Sequence, residues 1–286
     1  MVRESGQEYT LTDTRDQAAK DIVGHLPEIA RAIIDDRPEN INFKKNPDDP
    51  QEHEPRWHQW GIITHTQKFL EVYQKEIPQY LEQWGVAPQI DQKLAQQIDG
   101  RSKDELLTIA VALHDVGKFK RYFKKKGGRP NYGGHEGRSE DFILHRPQIQ
   151  SLLRRDCGLT EQQIEYVARC AGLHYELGEA RDRVKESDQE YNLAFAASDQ
   201  CAEICRLIAD KFPDFKEEIG VLFLGDSLSK VEPRITAATD AEVEAQTPQI
   251  EALVKKQGLD SRLVGAIKQN PTSIAVARRY LEVIRE

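Results

Sequence analysis

The chain contains no long apolar run. Across its 286 residues no window of about 18 apolar residues occurs, which argues against a membrane-spanning helix. The N-terminal stretch MVRESGQEYTLTDTRDQ lacks the apolar segment of a signal peptide, so a cytoplasmic protein with no membrane contact is expected. Cysteine is scarce: Cys157, Cys170, Cys201 and Cys205 form no CxxC pair. Cys201 and Cys205 share a helical face, but no second pair completes a zinc set, and reduced core thiols are expected. Period-two alternation is missing over any length that would make a strand, and no internal repeat occurs. The net charge of −8 makes a broad basic surface for nucleic acid a poor expectation.

What is present is helix. Residues 14–35 place apolar side chains at helical spacing, from Ala18 and Ile22 to Ile33 and Ile34. A loop rich in Pro, Asn and Asp follows to about residue 56. Further helices are expected over 57–76, 90–98, 103–116, 136–145, 148–156, 160–176, 190–211, 214–223, 240–256, 259–268 and 271–285. Ser102 with Glu105, and Thr160 with Gln163, read as capping boxes. Two loops interrupt the series, at 124–134 with four glycines and at 178–189. The fold class predicted is all-α.

Polar residues in apolar helices carry the functional signal. The run IAVALHDVGK, residues 109–118, ends in His114-Asp115. His174 stands in ARCAGLHYE and Asp199 in AFAASDQC, both apolar settings. With His65 and His135 these make four histidines and two aspartates on separate helices. A buried carboxylate is costly without a counter-charge. Imidazole and carboxylate together suit divalent transition metals, and six ligands suit two ions bridged by a carboxylate.

The spaced set His65, His114-Asp115, Lys118, His135, His174 and Asp199 resembles that of the HD-domain metal-dependent phosphohydrolases. HDVGK closing an apolar helix, GHEGRS after a glycine loop and AASD in a late helix are the stretches that match. There is a local similarity to the HD region of bacterial tRNA nucleotidyltransferases in HQWGIITHT, with His58 ahead of His65. The Gly-Ser and paired-aspartate signature of nucleotide transfer is not seen, so that activity is not implied.

The resemblance implies an HD-like helical bundle over residues 51–211, preceded by an N-terminal helix and loop (1–50) and followed by a helical extension (212–286) packed on the core. It implies that His65, His114, Asp115 and Asp199 hold a first divalent ion (Mn, Fe, Ni, Co, Zn or Mg), with Asp115 bridging to a second on His135 and His174. His114, Asp115 and Lys118 are the expected catalytic residues. The implied activity is hydrolysis of a phosphate ester in a small substrate, a nucleotide, by metal-activated hydroxide.

Residues 118–129 hold seven Lys or Arg and no acid, and fit an anionic ligand. Lys118, Arg121, Arg129 and Arg138 are the expected phosphate contacts, with Tyr132 against a base and Glu136 orienting a ligand imidazole. Two alternatives stand beside this reading: a single-strand nuclease of HD type, and a non-catalytic nucleotide-binding regulatory module. The tail offers three placements: over the core, in a homodimer interface, or across the active site.

Overall fold

A computed structural model describes residues 9–123, 130–178 and 192–285, with side chains from residue 17 onward. Fourteen α-helices occur among the described residues: α1 Tyr9–Ile33, α2 Ile41–Lys45, α3 Ile62–Lys75, α4 Ile77–Gln83, α5 Ala87–Leu94, α6 Lys103–Leu113, α7 His135–His145, α8 Pro147–Ser151, α9 Glu161–Leu173, α10 Leu193–Ala196, α11 Asp199–Lys211, α12 Lys216–Ser229, α13 Asp240–Lys256 and α14 Val264–Val283. The sheet content of the described residues is two antiparallel two-residue pairs, β1 Gln97–Ile98 with β2 Arg101–Ser102 and β3 Tyr122–Phe123 with β4 Pro130–Asn131. The chain is all-α. No described helix is long and apolar enough to cross a membrane.

Helix α6 is the central rod. Every side chain from Leu106 to Leu113 is buried, because α1, α3, α5 and α9 pack around it. Burial of each large apolar side chain there contributes roughly 1.5–3 kcal/mol. The Ser102 capping box starts α6 as the sequence predicts, and Thr160 with Gln163 starts α9. Helix α7 lies against α9 and against the short 3₁₀ turn Val116–Phe119, while α12 lies against α3, α9 and α14. One apolar cluster runs from Ala19 to Val283 and draws side chains from 1–50, 51–211 and 212–286 alike.

Four sequence expectations are corrected. The helix expected from 57 begins at Ile62, since Asp48 caps it from a distant loop: its carboxylate accepts from Thr64 N (2.8 Å) and Thr64 Oγ1 (2.6 Å). Residues 53–61 are thereby left as loop. The helix expected over 190–211 is broken at Ser198, whose hydroxyl accepts from Cys201 N at 3.1 Å and starts α11 afresh. The two helices expected over 259–268 and 271–285 are one, α14, which continues through Pro271 with Ile267, Pro271, Val276, Ala277 and Leu281 all buried. Helix α4 carries no distinctive pattern and was not expected. The loops expected at 124–134 and 178–189 lie largely outside the described residues.

Candidate metal centre

Helix α6 ends at His114, whose ring turns back so that Nδ1 donates to Val111 O at 2.8 Å. His174 ends α9 in the same way, donating from Nδ1 to Ala171 O at 2.7 Å. His135, the first residue of α7, donates to Tyr132 O at 3.1 Å, and His53 donates to Trp60 O at 2.9 Å. His65, on α3, points Nδ1 at Ser229 O, 3.4 Å away. A backbone carbonyl only accepts, so at His53, His114, His135 and His174 Nδ1 carries the hydrogen and Nε2 is the atom turned toward the cluster.

All five Nε2 atoms face Asp115. They stand 3.2 Å (His135), 3.4 Å (His114), 3.7 Å (His65), 3.8 Å (His174) and 3.9 Å (His53) from its carboxylate oxygens. His65 Nε2 and His114 Nε2 are only 3.4 Å apart, and His65 Nε2 is 3.1 Å from Asp226 Oδ1 on α12. Lone pairs turned on one another and on a carboxylate repel unless a cation lies among them. The spacing fits one. Donors bonded at about 2.1 Å to a single ion stand about 3.0 Å apart in octahedral and about 3.4 Å apart in tetrahedral coordination. The Lys118 ammonium lies 2.9 Å from Asp115 Oδ2, but among the described residues neither carboxylate oxygen of Asp115, nor Nε2 of His135, makes a hydrogen bond of good geometry. A cation is the group that satisfies such a set. Ligand atoms cluster as His65–His114–Asp226, as His114–Asp115–His174, and as His135–Glu136–His174. The first two clusters share His114 and the last two share His174, so the three adjoin one another.

Electrostatics favour the ligand forms. Burial lowers the pKa of His65, holds His53 and His58 well below the ordinary imidazole value, and brings His135 and His174 down to about 4, so these rings are neutral at pH 7. Burial works to raise Asp115, but the charge of the adjacent Lys118 ammonium opposes it, and the carboxyl is held well below its usual range. Asp226 is likewise held down, against burial, by Lys230 and His65. Lys118 Nζ lies 2.9 Å from Asp115 Oδ2 and 3.1 Å from His53 Nε2, and Lys230 Nζ lies 2.8 Å from Asp226 Oδ2. Burial lowers both ammoniums, yet the surrounding acidic groups, led by Asp115 at Lys118 and by Asp226 at Lys230, together raise them.

The turn that brings Lys118 inward depends on Gly117. A Cβ there would sit 2.2 Å from His135 O and 2.8 Å from Ser139 Oγ, whose hydroxyl accepts from Gly117 N at 2.9 Å. Glycine lets α7 approach closely enough to deliver His135. Glu136 Oε1 stands 3.1 Å from His135 Nδ1 and helps orient that ring.

Of the six residues expected as ligands, His65, His114, Asp115, His135 and His174 converge. Asp199 does not. It is exposed in the first turn of α11, where a carboxylate complements the helix dipole. Asp226 takes its place. The signal for it was in the sequence: VLFLGDSLSK, residues 221–230, repeats the form of IAVALHDVGK, an apolar run with an aspartate and then a lysine one turn later. His53, His58, Glu54 and Lys230 were also missed as site residues. His53 and His58 stack at 3.9 Å between ring centres beside Lys118, a contact made by loop geometry and marked by no helical pattern.

Two of the four expected phosphate contacts, Arg121 and Arg138, are corrected. Arg121 is buried away from the cluster: it pairs with Glu52, donates to Asn40 Oδ1 (3.0 and 3.1 Å) and lies 4.0 Å over the Phe43 ring, so it anchors the N-terminal loop. Arg138 is occupied by the carbonyls of Gly117, Tyr132 and Gly133 and clamps the loop before α7. Tyr132 donates its hydroxyl to Glu52 O, yet its side chain lines the site. Arg129 lies outside the described residues. Cys201 and Cys205 are buried and free, and no described ligand cluster includes them.

A cavity of about 260 Å³ opens onto the cluster, walled by Glu54, Trp57, Tyr175, Lys230 and Asn270 among others. This is near the small end of the size range for small-molecule sites. The class defined is therefore an all-α protein whose buried His/Asp cluster could hold metal ions, compatible with a site of HD type. Comparison with protein-family models, curated proteins and solved structures gives no match.

Proposed function

We propose that the protein is a metal-dependent phosphohydrolase of HD type that cleaves a phosphate ester in a small substrate, a nucleotide. The observation that carries this reading is the convergence of five imidazole Nε2 atoms and Asp226 around the buried carboxylate of Asp115. His65, His114, Asp115 and Asp226 would hold one ion; His135 and His174, sharing Asp115, would hold a second. Divalent ions there supply hydroxide from water near neutral pH and positive charge against phosphoryl oxygens. Lys118 and Lys230, both lining the cavity, add positive charge at its floor and draw in an anionic group. Glu54 also faces the cavity; burial raises its carboxyl pKa, which suits it to hand a proton to the leaving oxygen.

The test is metal analysis of the purified protein, followed by nucleotides and cyclic nucleotides with Mn²⁺, Ni²⁺, Co²⁺ or Mg²⁺, with Asp115→Ala as the control. Ester cleavage that disappears together with bound metal in Asp115→Ala is expected. A variant that keeps its metal and full activity would overturn the reading. Bound metal with no turnover of any ester would point instead to a regulatory module, and cleavage confined to single-stranded nucleic acid to a nuclease.

A further inference from the structure

One wall of the cavity serves no purpose in holding metal or in hydrolysis. Ser227 and Asn270 both line it, from α12 and α14, and both are more than nine-tenths buried. Asn270 Nδ2 donates to Ser227 O at 2.7 Å. Because that carbonyl only accepts, the amide orientation is fixed, and Oδ1 is the atom left over. Among the described residues Asn270 Oδ1 has no hydrogen-bond partner, and neither has Ser227 Oγ. A serine inside a helix usually bonds back to a carbonyl of the preceding turn. Ser229, two residues on, does so with Asp226 O at 2.9 Å; Ser227 does not. Buried polar atoms are rarely left unmatched, and where they face a cavity a ligand can supply the match.

We propose that Ser227 and Asn270 form a subsite for the hydroxyl-bearing group joined to the phosphoryl group, the sugar of a nucleotide. Its position relative to the phosphoryl end rests on the hydrolase reading above. The chemistry fits a pair of neighbouring hydroxyls: Asn270 Oδ1 only accepts, so it takes a ligand O–H, while Ser227 Oγ both donates and accepts. The position fits as well. Ser227 directly follows Asp226, and consecutive Cα atoms are about 3.8 Å apart. Ser227 lines the same cavity as Asp226, His135 and His174, so a group held by Ser227 shares that cavity with the ion cluster.

The experiment is calorimetric titration of the purified metal-bearing protein with the four ribonucleosides and their 2′,3′-dideoxy counterparts. None carries a phosphate ester, so the readout is independent of hydrolysis. At least one ribonucleoside is expected to bind tenfold or more tightly than its dideoxy form. Ser227→Ala and Asn270→Leu should each cut that preference to threefold or less while leaving dideoxynucleoside affinity unchanged. Equal affinity of the two forms in the unaltered protein, or no binding of either, overturns the subsite even if a variant fails to fold. A preference that survives both substitutions overturns it too. A protein that prefers the ribonucleoside but cleaves no ester keeps the subsite and loses the hydrolase.

Discussion

His65 Nε2 and Asp226 Oδ1 stand 3.1 Å apart although 161 residues separate them in the chain. Helix α12 reaches α3 because Gly225, beside Asp226, leaves room for the Phe69 ring, which would otherwise meet a Cβ at 2.0 Å. The Phe69 ring in turn packs edge-on to His114 at 5.0 Å. One contact thus joins the late carboxylate to the first two imidazoles.

Exchanging the two candidate aspartates discriminates between them. Asp226→Asn should weaken metal binding by more than the roughly 10–100-fold expected for losing a group that merely orients a ligand. Asp199→Asn should leave metal content unchanged and cost at most about 1 kcal/mol through the helix dipole. Metal content after dialysis, measured by mass spectrometry, separates them, and equal loss in both variants would restore Asp199 to the site.

Acid should destabilise the metal-stripped protein early. His135 and His174 have folded pKa values of about 4, against 6.5 when unfolded, so at lower pH the unfolded chain binds protons that the folded one refuses. Their contribution is fully present above about pH 6.5 and is lost as pH falls toward 4, at about 1.4 kcal/mol per unit of separation for each ring. Denaturant midpoints at pH 7, 5.5 and 4.5 with chelator present should fall in that order. A flat series would mean that these rings are not buried neutral.

Gly117→Ala should damage the site from outside the ligand set. The added methyl meets His135 O and Ser139 at distances no Cβ tolerates, so α7 must shift. A loss of about 1–3 kcal/mol is expected, together with weaker metal retention; thermal unfolding with and without metal reads both. An unchanged melting temperature would show that α7 gives way freely.

Arg121→Ala should be a stability variant. Removing a buried cation that pairs with Glu52 costs about 3–5 kcal/mol. Metal stoichiometry should be unchanged, and KM for any ester that is turned over should move less than threefold. A KM rise without loss of stability would return Arg121 to the substrate.

Glu54 has a backbone φ of +39°, in the left-handed region, while facing the cavity. Such strain at a non-glycine residue costs roughly 1–3 kcal/mol and gathers at functional positions. Glu54→Gly should therefore be at least as stable as the unaltered protein, yet slower in turnover by about 10²–10⁴-fold if the carboxyl is the proton donor. Glu54→Gln should show the same kinetic loss without the gain in stability. Full turnover in both would remove Glu54 from the chemistry.

The helices α6 and α9, with their Ser102 and Thr160 boxes, were legible because capping and the 3.6-residue period are local. So were His65, His114, Asp115, His135 and His174 as candidates, since an imidazole or carboxylate in an apolar run is conspicuous in one dimension. Asp199 and Asp226 gave the same local signal, and only packing separated them. Ser198 starts a new helix and turns Asp199 to solvent, while Gly225 lets α12 press against α3 and carries Asp226 inward.

Composition and periodicity determined the all-α class and the kinds of ligand available, because helix formation and the cost of burying charge depend on short-range sequence. Tertiary structure alone decided which carboxylate completes the cluster, that Arg121 anchors a loop rather than a ligand, and that α14 closes a cavity with Asn270 on its wall. Those outcomes depend on which distant surfaces fit together, and no local pattern in the chain records that fit.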